Sequence, residues 1–140
     1  MLLQPTFSKR VFLIAGIYGL LALVPQYFMH GPMSLRFPAP LTHPEHFYGF
    51  VGVAIAWQFV FIIISQDVRR FRALMLPAVL EKVSFGAAAL VLYARGLVTT
   101  PVLCAGAIDL VFAVLFILSF FASASLNGAT PSICQLLKIE

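Results

Sequence analysis

Acidic residues are scarce in this chain. Five occur among 140 residues, and charged residues of both signs make up only 10%. Ordinary soluble domains carry about 25%, so this scarcity excludes an ordinary water-exposed globule. Cysteine is nearly missing as well. Cys104 and Cys134 are the only two, they fall toward opposite faces of the topology given below, and neither has a metal-ligand neighbour at a useful spacing. A disulfide framework is excluded, and each is read as a small apolar residue. The single tryptophan, Trp57, stands in the middle of an apolar run and is read as packing. The chain also lacks a glycine-rich phosphate loop, a nucleophile elbow, a paired-cysteine motif and a haem-type axial pattern.

What is present is apolar length. Hydrophobic residues make up 61% of the chain and come in four blocks, each near the roughly 20 residues that a membrane-crossing helix needs. The expected fold is all-α, a bundle of four transmembrane helices at about 7–29, 46–65, 73–94 and 101–122, with a short tail at 123–140. The chain is read as a single integral membrane domain. The first block has Lys9 and Arg10 ahead of the apolar run Val11 to Val24, as a leader peptide does. No small-x-small cleavage site follows, and the apolar character continues to Met29, so a retained span is expected.

The net charge of +4 points to a membrane surface rather than to nucleic acid, because the basic residues cluster at the ends of the apolar blocks. With four spans both termini share a side. That side holds Lys9, Arg10, Arg69, Arg70, Arg72 and Lys138, against Arg36 and Arg95 on the other. Positive charge is retained on the cytoplasmic side, so both termini and the arginine loop are expected there. The expected location is the inner membrane of a cell, crossed several times.

Two carboxylates fall inside apolar blocks: Glu81 in the third and Asp109 in the fourth. Carrying such a group into hydrocarbon costs roughly 3 kcal/mol on insertion scales, and these side chains usually face a bundle interior with a partner. At 1.5 Å per residue, Glu81 lies about 6–12 Å in from one end of its span and Asp109 about 12 Å from the other face. A water, a ligand or Lys82 can stand between them. The alternative is a Lys82 that snorkels to the headgroups. Gly106, Asp109 and Ala113 share a small-residue face, and Glu81, Ser84 and Ala88 share another. Small faces let helix backbones approach closely. The first span adds Tyr18 and Gln26 beside Ala15, Gly19 and Ala22. A polar cavity lined by Glu81, Ser84, Asp109, Tyr18 and Gln26 is therefore the expected ligand site. The second span has a small face at Gly49, Gly52 and Ala56, with Gln58 nearly opposite.

His30, His43, Glu45 and His46 could ligate Zn²⁺ or Cu²⁺ from one loop, but Pro44 divides them and no HExxH pattern accompanies them. No metal and no cofactor is expected. Asp67 with Arg69, Arg70 and Arg72 is read as a topology anchor beside anionic lipid rather than a headgroup site.

The residues Leu76-Pro77-Ala78-Val79-Leu80-Glu81-Lys82 with Phe85-Gly86, and Gly106-Ala107-Ile108-Asp109, are similar to those of the DoxX-like group of small bacterial inner-membrane proteins. That resemblance, which covers most of the chain at the level of architecture, implies four helices with both termini inside and accessory roles in oxidative metabolism. Sterol-isomerase-like four-helix proteins also carry acidic residues in a bundle cavity. This chain has no histidine within a span beside its carboxylates, so isomerase chemistry is not carried over. Small multidrug-type transporters place their carboxylate in the first span, where this chain has none. The preferred reading is a non-enzymatic membrane protein that binds a small apolar ligand or a partner subunit through an intramembrane polar patch. Its other partners would be the lipid bilayer and a second copy of itself. The alternative is a membrane enzyme or proton-coupled carrier with Glu81 and Asp109 as acid–base groups.

Overall fold

The computed structural model describes residues 5–28 and 43–124 of the chain. Four helices account for most of them: α1 Pro5–Phe28, α2 Pro44–Gln66, α3 Met75–Ala94 and α4 Thr100–Ala124. No strand occurs among the described residues. Each helix, with the turn that precedes α3, is long and apolar enough to cross a membrane. That is the architecture of a multi-pass membrane protein. Where a helix end falls inside the described residues, it lies within two residues of the expected one. His30, most of the long proline-containing loop and the tail after Ala124 lie outside the described residues.

Local chemistry sets the ends. Pro44 opens α2, where its missing N–H would have had no helical partner anyway. Pro77 sits in the first turn of α3, directly after a 3₁₀ turn at Arg72–Leu74. Helix α1 continues through Pro25 to Phe28, so that proline does not end it. Gly96 terminates α3 with φ +70°, a conformation that an L side chain resists. Its N–H donates to the Tyr93 carbonyl at 2.9 Å and the Leu97 N–H to that of Leu92 at 2.9 Å, which satisfies two carbonyls of the last turn.

The arginine loop is built as well as charged. Asp67 Oδ1 accepts from the backbone N–H groups of Arg69 at 3.2 Å and Arg70 at 3.1 Å. Arg72 Nε donates to the Phe120 carbonyl at 3.2 Å, and its guanidinium lies 4.0 Å from the centre of the Phe120 ring. These contacts fasten the loop to α4.

The packing order differs from the chain order. Helix α1 packs along α2 and also against α4, and α4 packs along α3, while α2 and α3 touch only sparsely. The core occupies the half of the bundle beside the arginine loop: Phe12 and Ala15 from α1, Phe61 and Ile64 from α2, Ala78 from α3, Phe116 from α4. Phe12 stacks on Phe116 at 4.1 Å and Phe61 meets Phe116 edge-on at 5.1 Å. Such aromatic pairs add about 0.5–1.5 kcal/mol each beyond the area they bury.

Glycine permits close helix contact at two seams. A Cβ on Gly16 would lie 2.9 Å from the Gln58 carbonyl oxygen, and one on Gly106 would lie 2.5 Å from the Ala89 Cβ. The expected inward face of α4 is found, with Gly106, Asp109 and Ala113 all buried. The small face of α2 is not used. Gly49, Gly52 and Ala56 are exposed, and a Cβ on either glycine would meet nothing within 4 Å. Helix α2 packs through its Gln58 side instead, because α1 supplies the small residues for that contact.

Candidate functional site

Beyond the core, toward the other end of the bundle, the helices enclose a partly open cavity of about 630 Å³. All four helices line it. Tyr18 and Gln26 come from α1, Trp57 and Gln58 from α2, Glu81, Lys82 and Ser84 from α3, and Asp109 from α4. The five residues singled out from the sequence, Glu81, Ser84, Asp109, Tyr18 and Gln26, thus border one space. Helices α2 and α3 touch only sparsely beside it, with Phe50 and Phe85 facing each other across that seam at 6.1 Å.

The depth arithmetic left a gap between the two carboxylates, and Lys82 fills it. Its ammonium lies 3.1 Å from Asp109 Oδ1 and 3.3 Å from Glu81 Oε2. The latter is an ion pair without a hydrogen bond, since Glu81 Oε2 has no aligned donor. Lys82 does not snorkel. Its side chain is 6% exposed, against 19% for Glu81 and 13% for Asp109. Its ammonium also sits 5.2 Å from the centre of the Phe61 ring, so the cation points toward the aromatic core. Residues 81 and 82 are about 100° apart on a helix, yet the long lysine stem brings its charge back between the acids.

Gln58 is the second polar residue at this level. It is fully buried, its Nε2 donates to the Ala54 carbonyl at 2.9 Å, and its Oε1 has no hydrogen-bond partner. Its side chain lies directly over Gly19, so closely that no Cβ fits there. The remaining expected residues are partly committed. Ser84 Oγ donates to the Leu80 carbonyl at 2.7 Å, and Gln26 Nε2 donates to that of Ala22 at 2.9 Å. Tyr18 packs its ring 5.8 Å from Phe112.

Sequence reasoning named Lys82 only as one of three groups that could stand between the acids, and gave Gln58 no role in the site. The available signal was the same for both: a polar side chain in the middle of an apolar span, which needs a partner. Trp57 borders the cavity and lies 6.1 Å from Phe61.

At the start of α2, ligand atoms of His43, Glu45 and His46 lie within 4.8 Å of one another. All three are exposed, and His43 Nδ1 lies 2.9 Å from Glu45 Oε1. Cys104 is exposed and free.

Chemically, the arrangement offers an apolar, aromatic chamber with charge confined to its floor. It suits a molecule with a greasy body and one polar end. Compared with protein-family models, curated proteins and solved structures, the chain matches none.

Proposed function

We propose that this protein is a non-enzymatic, multi-pass protein of the bacterial inner membrane. It binds a small, largely apolar ligand in the cleft between α2 and α3, with the ligand's polar end toward Glu81, Lys82 and Asp109. The cavity carries this reading. Its volume of about 630 Å³ falls in the range of roughly 300–1,000 Å³ typical of small-molecule sites, which are mostly apolar with a few placed polar groups. A seam facing lipid gives an apolar ligand a route in from the bilayer. The resemblance of α3 and α4 to the DoxX-like group supports the inner-membrane placement.

Trp57 supplies the test. It is the only tryptophan of the chain and borders the cavity, and bromine quenches indole fluorescence on contact. A bromoalkane titrated into protein in lipid nanodiscs should quench Trp57 saturably. Ala88 also borders the cavity and is exposed, so Ala88→Phe should fill the cleft and leave only the linear quenching due to lipid partition. Identical non-saturable curves for both proteins would remove the ligand-binding reading.

Orientation is part of the proposal, with both termini and the arginine loop in the cytoplasm. In a background lacking Cys104 and Cys134, a cysteine at Thr99 should react with an impermeant maleimide in intact cells, and one at Gln66 should not. Labelling at Gln66 alone would invert the topology.

A further inference from the structure

We propose that the ligand of this cavity is a cationic amphiphile: an apolar body carrying one protonated amine. This rests on the reading of the cleft as a ligand site and adds the chemical class. Three observations lead to it.

The first is charge. The floor holds two carboxylates and a single ammonium, which leaves one formal negative charge uncompensated when both acids are ionised. Among the described residues, Lys82 is the only basic one that borders the cavity. An unbalanced charge away from water is costly, and a monovalent cation from the ligand balances it.

The second is the hydrogen-bonding inventory. Among the groups at the floor, each donor side chain already faces an acceptor. The Lys82 ammonium is ion-paired with the two acids, Gln58 Nε2 donates to the Ala54 carbonyl and Ser84 Oγ donates to the Leu80 carbonyl. Acceptors are less fully met: Glu81 Oε2 has no hydrogen-bond partner, and neither has Gln58 Oε1, which lies against Gly19. A donor is what such a floor lacks, and a protonated amine carries donors and no acceptor.

The third is the wall. The side chains of Glu81 and Asp109 are more exposed than that of Lys82 between them, so the acids are the more accessible part of the triad. Tyr18, Phe47, Phe50, Trp57 and Phe85 line the chamber above, and ring faces attract a desolvated cation. An anionic head would be repelled by the acids, and a neutral one would gain no charge attraction from acids or rings.

The test uses the full-length protein in nanodiscs of zwitterionic lipid, with Trp57 fluorescence as the readout. Two probes of equal chain length are compared, a bromoalkylamine and the corresponding bromoalkyl alcohol, with the Ala88→Phe signal subtracted to remove partition into lipid. The amine should bind at least about tenfold more tightly than the alcohol, equivalent to about 1.4 kcal/mol. Asp109→Asn and Glu81→Gln should each weaken the amine several-fold and leave the alcohol nearly unchanged. Equal affinity of the two wild-type titrations would overturn the cation proposal while the cleft remained a ligand site. Saturable quenching by neither probe would instead mean that the cleft binds no such ligand, and both readings would fall.

Discussion

Lys82→Met should destabilise the bundle by about 3–5 kcal/mol, the range found when one partner of a buried ion pair is removed. The reason lies in the geometry. Lys82 Nζ is 3.1 Å from Asp109 and 3.3 Å from Glu81, so its removal leaves two acids facing each other with no cation between. Methionine keeps most of the stem's volume, which makes the loss electrostatic rather than a cavity effect. The effect should be strongly non-additive, as expected for groups in one network. In the triple variant Glu81→Gln, Lys82→Met, Asp109→Asn no charge remains to be stranded, and stability should return toward wild type or exceed it. Denaturant titration in detergent micelles, followed through Trp57, measures both variants. A Lys82→Met protein as stable as wild type would show that the lysine does not bridge the acids.

The second large effect is steric. Gly106→Leu should cost about 1–3 kcal/mol, as overpacking typically does, because even a Cβ at this position would lie 2.5 Å from the Ala89 Cβ across the α3–α4 contact. Val111→Leu, on the 60% exposed side of the same helix, should change stability by no more than about 0.5 kcal/mol, as most surface substitutions do. The same unfolding assay compares them. Equal stability would mean that the Gly106 face looks at lipid, and the inward placement of Asp109 would lose its support.

The contrast between these helices shows what the sequence makes legible. Span positions follow from apolar length and from breakers such as Gly96 and Pro44, because a bilayer's thickness fixes helix length almost regardless of neighbours. The inward face of α4 is readable because one acid and two small residues agree on a single direction. Gly49, Gly52 and Ala56 satisfy the same spacing rule on α2 and yet face outward. Close approach of two helices needs small residues on only one of them, and α1 provides Gly16 and Gly19 there. Spacing along one helix carries no information about which neighbour it meets.

The site was legible to the same extent. Charged and polar residues in apolar runs point inward for a physical reason, and Glu81, Ser84, Asp109, Tyr18 and Gln26 do border one cavity. The direction of Lys82 was not readable, because a four-carbon stem reaches either the headgroups or the bundle centre. The choice depends on Asp109 standing across from it, and that depends on α3 packing along α4 rather than along α2. The sparse contact between α2 and α3 was hidden for the same reason, since neighbours in the chain are expected to be neighbours in space.

A ligand in the cleft above the bridged acids can be located directly through its bromine. Crystals of the protein grown in a lipidic phase with the bromoalkylamine should give an anomalous bromine peak inside the cavity between Trp57 and Phe85. The amine head should lie within hydrogen-bonding reach of Asp109 or Glu81. Bromine found only along the outer surface of the bundle, with the cavity filled by ordinary solvent or lipid density, would contradict the ligand-binding reading.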